Sequence, residues 1–176
     1  MLQHRVASHY GYAVADIGDA VRHWSDLLGA GPFFLVEDMA FDHISYRGAD
    51  CTFVHSAAFG QWGSVAIELM QISQCSPRSF AESMIPGPMP ILNHIAYLSP
   101  DLDRDSASLE SLGAPAFLHA RFGEVEVRVH DAVDKVGCNI EIHRKSDFIE
   151  SFFAHVKNAS IGWDGTTPLR GFAGVD

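Results

Sequence analysis

The chain has 176 residues, enough to bury a real core in one domain or two very small ones, and 47% are hydrophobic, which excludes general disorder. A formal net charge of −10 argues against nucleic acid or an anionic membrane as partner, since both are held by clustered Lys and Arg. No apolar run approaches the roughly 20 residues of a membrane span. No signal core follows Met1-Leu2-Gln3-His4-Arg5, and Cys51, Cys75 and Cys138 are odd in number without metal-motif spacing. A cytoplasmic protein with reduced thiols is the expectation.

In chain order, residues 8–14 alternate as a strand does and carry His9. Asp16 is placed to cap a helix whose apolar face is Ala20, Val21, Trp24, Leu27 and Leu28, and Gly29 sits where a C-terminal glycine belongs. Strands are predicted near 33–38, 51–58 and 64–72, parted by Gly48 and by Gly60-Gln61-Trp62-Gly63. Residues 73–90 hold Pro77, Pro86, Gly87, Pro88 and Pro90 and read as a linker. The order then repeats, with a strand at 91–98 carrying His94, a helix at about 101–112, and strands near 115–121, 124–130 and 138–143. Leu28-Gly29-Ala30 in the first half is matched by Leu112-Gly113-Ala114 in the second, so the repeat is internal. The resulting division is 1–72 for the first module, 73–90 for the linker, 91–145 for the second module and 146–176 for a terminal helix and tail. That helix, at about 147–157 behind Ser146, has the stripe Phe148, Ile149, Phe152, Phe153 and Val156, which needs the core or a second subunit to cover it; a homodimer is expected.

Strand parity then isolates the chemistry. Ile67 and Leu69 point one way and Glu68 the other; Ile140 and Ile142 likewise oppose Glu141. If the aliphatic residues pack under the helices, both carboxylates face the hollow of the sheet, where they need a cation or a partner. His9 shares its face with Gly11 and Ala13, and His94 with Leu92 and Ala96. Two imidazoles and two carboxylates suit a divalent zinc, nickel, cobalt, manganese or iron ion. His143 shares the face of Glu141 and is a candidate to touch substrate or move a proton. Glu126, Arg128 and His130 alternate with Val125, Val127 and Val129. If the valines face the helix, Arg128 and His130 line the cavity, with Arg128 holding a substrate carboxylate or phosphate. His43 and His55 read as ordinary strand residues rather than bases.

A strand-helix-three-strand unit occurring twice, with His9 and His94 opening the units and Glu68 and Glu141 near their ends, resembles the vicinal oxygen chelate superfamily. Its members include glyoxalases, methylmalonyl-CoA epimerases, extradiol dioxygenases and antibiotic-resistance proteins. The likeness spans about residues 7–145. It implies an α+β fold in which two tandem βαβββ modules form a curved, cup-like mixed sheet around a metal site, here with a C-terminal helix added. It also implies that His9, Glu68, His94 and Glu141 are the ligands. The His-Glu-His-Glu set is similar to glyoxalase I; epimerases commonly carry Gln in the second place, and extradiol dioxygenases have no acid there. A lyase or isomerase acting on a small molecule through an enediolate or enolate is the implied activity, with Glu68 and Glu141 catalytic and Glu68 the preferred proton carrier. The rival readings are an iron-dependent extradiol dioxygenase and a metal-free binding protein of the drug-sequestering kind.

Overall fold

The structure, a computed structural model, describes residues 5–85 and 87–172. Residues 1–4 of the segment read as lacking a signal core, Pro86 of the expected linker and residues 173–176 of the tail lie outside it. The elements are β1 (His9–Ala13), α1 (Ile17–Leu28), β2 (Phe33–Met39), β3 (His43–Tyr46), β4 (Ala49–Asp50), β5 (Thr52–Trp62) and β6 (Val65–Ser76). There follow α2 (Arg78–Met84), β7 (Ile91–Ser99), α3 (Leu102–Ser111), β8 (Ala116–Phe122), β9 (Val125–His130), α4 (Val133–Val136), β10 (Asn139–Arg144), α5 (Asp147–Ser160) and β11 (Leu169–Gly171).

Local chemistry sets the main helices. The Asp16 carboxylate accepts the amide of Asp19, and Gly29 ends α1 with a φ of 65°, which only glycine adopts at little cost. Asp101 and Ser146 cap α3 and α5 in the same manner. The strands form one mixed sheet in the order β11-β2-β5-β6-β1-β7-β10-β9-β8-β3-β4. The two modules are therefore mirror images in strand order, β2-β5-β6-β1 and β7-β10-β9-β8, joined where β1 runs antiparallel to β7. Within each module the His strand lies parallel to the Glu strand. Ile67 and Leu69 pack with Val14, Ile17 and Val21 around α1, while Ile142 packs with Leu102 and Leu109 of α3. The aliphatic faces thus lie under the helices, and the opposite face of the sheet is the hollow. Among the described residues no helix is long and apolar enough to cross a membrane.

Two regions differ from the sequence expectation, and the terminal helix takes the core-capping place expected of it. β3 and β4 leave the first module and pair with β8, at the far edge of the second. Since β2 ends at Met39 and β3 begins at His43, that connection spans at most about 15 Å, so the two ends of the sheet curl close together. The residues expected to be a linker hold the end of β6 and helix α2, whose Phe80 and Met84 are buried with Tyr46, Phe53 and Phe117. Pro77 precedes this helix and the later prolines follow it, so none interrupts it. Finally, α5 lays Ile149, Phe152 and Val156 against Phe34 and Phe59. Of the terminal stripe, Ile149, Phe152 and Val156 are buried against the chain's own core, while Phe148 is exposed.

Candidate metal centre

Register brings the four chemical side chains to one point. Across β6, β1 and β7, Glu68 aligns with Gly11 and Gly11 with His94. Across β10, β7 and β1, Glu141 aligns with Ala96 and Ala96 with His9. Each row therefore carries a carboxylate and an imidazole on either side of a small residue, and the two rows run in opposite directions. The small residue keeps the middle strand out of the space where the side chains meet.

The distances fit one ion. His9 Nε2 and His94 Nε2 are 3.3 Å apart, and each lies 3.2 Å from Glu68 Oε2. Glu141 Oε1 is 3.7 Å from His9 and 3.8 Å from His94. One ligand atom from each of the four residues falls within 4.8 Å of all the others. Ligands held about 2.0–2.2 Å from a divalent ion stand roughly 3.4 Å apart at the corners of a tetrahedron. All but Glu141 are buried, and Glu141 is half-buried.

Neighbouring polar groups orient these side chains. Asn93 donates its amide to the Met84 carbonyl of α2, which leaves Asn93 Oδ1 to accept from His94 Nδ1 at 2.8 Å. That bond fixes the tautomer with the Nε2 lone pair free for an ion. Ser8, the repeat partner of Asn93, lies 3.2 Å from His9 Nδ1. His143 Nε2 donates to Glu141 at 2.5 Å, and Phe153 of α5 stacks on the His9 ring at 5.2 Å. The terminal helix thus shields the centre from water.

Burial alone would depress His9, but its bonds to Glu141 and Glu68 raise it to about 9. Burial would raise Glu68, but the two imidazoles hold it at about 2. Glu141 is likewise well below its ordinary range, with burial outweighed by His94 and His143. Without metal, His9 carries a proton that an ion must displace. Its folded-state value is raised from 6.5 to about 9, so its stabilising contribution is full below pH 6.5 and is lost as pH rises through 9. Glu68 is depressed from 4.5 to about 2, so its contribution is present above pH 4.5 and lost as pH falls through 2. Metal-free protein should therefore lose thermal stability between pH 6.5 and 9, while the stabilisation given by added metal grows over the same range. Melting curves with chelator and with metal across that range check this; a metal-induced shift independent of pH would contradict it.

Gly11 is the tightest position. A Cβ there would lie 2.2 Å from His94 Cε1 and 2.3 Å from Nε2. Gly11→Ala should displace the imidazole, lower stability by about 1–3 kcal/mol as overpacking does, and weaken metal binding. A melting curve and a metal titration measure both effects; an unchanged metal affinity would show that the ring has room.

His143 lines the cavity beside Glu141, as its parity suggested. Arg128 and His130 do not. Arg128 pairs with Asp103 of α3, and Arg144 with Glu126, so this polar ladder faces the helix. His130 is fully buried under α3, with Nδ1 donating to the Ala114 carbonyl at 2.8 Å and Nε2 accepting from Ser106 at 3.1 Å. Val125 and Val127 face the cavity instead. Helix α3 presents Asp103, Asp105 and Ser106 as well as leucines, so it takes a polar strand face; that composition was the available signal. His43 is exposed on β3. Sequence reasoning missed Asn93, Ser8, the crowding at Gly11, and the place of His55 in the cavity wall.

The sequence matches the family model of the glyoxalase/bleomycin resistance protein/dioxygenase superfamily over residues 8–130. The chain belongs to that superfamily. The matched span contains three of the four convergent residues and ends before Glu141. Methylmalonyl-CoA epimerase from Mycobacterium tuberculosis superposes with a TM-score of 0.55 at 21% identity, covering 85% of this chain and 96% of that one. A hypothetical protein from Bacillus halodurans gives 0.57 at 18% identity, covering 82% and 97%. A variant of Streptomyces coelicolor methylmalonyl-CoA epimerase in complex with 2-nitronate-propionyl-CoA gives 0.50 at 15% identity, covering 81% and 96%. At these identities the likeness establishes the shared superfamily fold. A search of curated protein sequences finds no significant match.

Proposed function

We propose that this superfamily member is a metal-dependent isomerase or lyase that removes a proton from a carbon next to a carbonyl. The observation that carries the reading is the convergence of two imidazoles and two carboxylates, from both modules, on one point at the edge of an apolar cavity. A divalent ion held by His9, Glu68, His94 and Glu141 would supply Lewis-acid stabilisation of the enolate or enediolate oxygen, which is worth several kcal/mol in such reactions. Glu68, whose carboxylate lines the cavity, would accept the proton. His143 holds Glu141 in position, and the phenylalanines of α5 exclude water. Among the rivals, an extradiol dioxygenase needs a two-His, one-carboxylate triad with open positions for its substrates. The equal 3.2 Å approach of Glu68 to both histidines favours a four-ligand set instead.

Two measurements test the proposal. Purified protein should take up one equivalent of zinc, nickel, cobalt, manganese or ferrous iron. The loaded protein should exchange the acidic carbon-bound proton of a 2-hydroxy-carbonyl compound or an acyl thioester with solvent deuterium in the absence of oxygen. Oxygen uptake with a catechol and no exchange on any carbonyl compound would replace this reading with the dioxygenase. Failure to bind metal would leave a metal-free binding protein.

A further inference from the structure

Two of the four convergent residues, Glu68 and Glu141, line a cavity of about 330 Å³. That is near the lower end of the roughly 300–1,000 Å³ typical of small-molecule sites. Its wall is aromatic and aliphatic, with Phe41, Phe53, Phe59, Phe152, Phe153 and Met70 prominent. Among the described residues no Lys, Arg or Asp lines it, and its titratable side chains are Glu68, Glu141, His143 and His55. The first three belong to the candidate metal centre. His55 does not.

His55 is 4% exposed, and its Nδ1 is buried with no hydrogen-bond partner among the described residues. Its ring lies against Phe53, with centroids 4.6 Å apart and planes 24° apart, and against Phe41 at 5.9 Å and 20°. On β5, Phe59 is opposite Glu68 and His55 is opposite Ile72, so His55 stands farther along the same wall from the four ligands. Burial lowers its basicity, which leaves a neutral ring able to donate at one nitrogen and accept at the other. His143 also has a buried Nδ1 without a partner, but its Nε2 is tied to Glu141, whereas neither nitrogen of His55 has a hydrogen bond among the described residues. A buried polar group is unfavourable without a partner, and native structures rarely leave one unmatched. A tail bearing phosphate or carboxylate would find no counter-charge here.

We infer that the substrate is a compact, uncharged molecule with three parts. A pair of neighbouring oxygens meets the ion, an apolar ring-sized body fills the phenylalanine-lined chamber, and a hydrogen-bonding group at the far end meets His55. This rests on the metal-centre reading, which it deepens by specifying the substrate class. His55 is then the residue that distinguishes hydroxylated bodies from bare ones, because an apolar wall alone discriminates poorly against an added hydroxyl.

Hydroxamic acids separate the parts, since their head supplies two oxygens to a metal. Calorimetry on the protein loaded with one equivalent of Zn²⁺ would compare acetohydroxamic acid, benzohydroxamic acid and the meta- and para-hydroxybenzohydroxamic acids. Acetohydroxamic acid should bind only with zinc present. Benzohydroxamic acid should bind at least about tenfold tighter through burial of its ring. One of the hydroxylated compounds should gain a further factor of about three to ten, the worth of one hydrogen bond. His55→Phe should remove that last gain and leave the benzohydroxamic acid affinity within about twofold. If His55→Phe fails to give a folded melting transition, His55→Leu serves the same comparison. Equal affinity for the acetyl and benzoyl compounds would overturn the apolar-body assignment. A hydroxyl gain that is absent, or that survives replacement of His55, would overturn its role. Acetohydroxamic acid that binds equally without zinc, or not at all, would instead sink the metal-centre reading, whatever the ring and hydroxyl comparisons show.

Discussion

His94→Ala should abolish tight metal binding while leaving the fold in place. The imidazole supplies one of four convergent ligand atoms, and its Nε2 lies 3.3 Å from that of His9 and 3.2 Å from Glu68. Losing an outer-shell partner of a ligand typically lowers affinity by about 10–100-fold, and losing the ligand itself should exceed that. The aliphatic packing under α1 and α3 does not involve this side chain. The expected penalty to folding is that of a partly collapsed cavity, roughly 2–3 kcal/mol. Equilibrium dialysis and a melting curve measure the two effects. Retention of a full equivalent of metal would remove His94 from the ligand set. An unfolded variant would mean that the ion or the imidazole is structural.

Glu68→Gln should separate binding from chemistry. Glutamine keeps an oxygen able to approach an ion, so much of the metal should remain. It cannot serve as a base near pH 7, and general-base catalysis typically contributes about 10²–10⁴-fold. The expected result is a loss of that order in proton exchange, with a much smaller loss in metal affinity. Oxygen uptake with a catechol that survives the substitution would point to His9, His94 and Glu141 acting as a two-His, one-carboxylate triad, with Glu68 a bystander.

Much of this arrangement was legible in the residues because it depends on short-range periodicity. The alternation Ile67-Glu68-Leu69 fixes which side of the strand is apolar, and the helices claim the apolar side. The internal repeat supplied the pairing of His9 with His94 and of Glu68 with Glu141. What escaped was whatever depends on a partner distant in the chain. His43-Ile44-Ser45-Tyr46 is a short, half-polar strand whose partner, residues 118–121, lies far along the sequence. Helix α2 is seven residues long among prolines and is held by burial of Phe80 and Met84 rather than by its own periodicity. Arg128 and His130 were assigned the wrong face because three valines suggested the side that meets a helix, whereas α3 offers Asp103 and Ser106 as partners. Nothing local in the sequence around His55 marks it as a polar group of the chamber that stands apart from the four convergent residues.

The crossing of β3 to the edge of β8 changes what the duplication means energetically. The halves meet twice, once along β1 and β7 and again where β3 clasps β8. Parting them requires both lines of backbone hydrogen bonds to break together, and it would expose the edge of β8, a template for pairing with other chains. A sequence with two similar halves should therefore unfold as one cooperative unit, and a single calorimetric transition with equal calorimetric and van't Hoff enthalpies checks this. The ion, bonded to both halves, would tighten a ring that the backbone has already drawn closed.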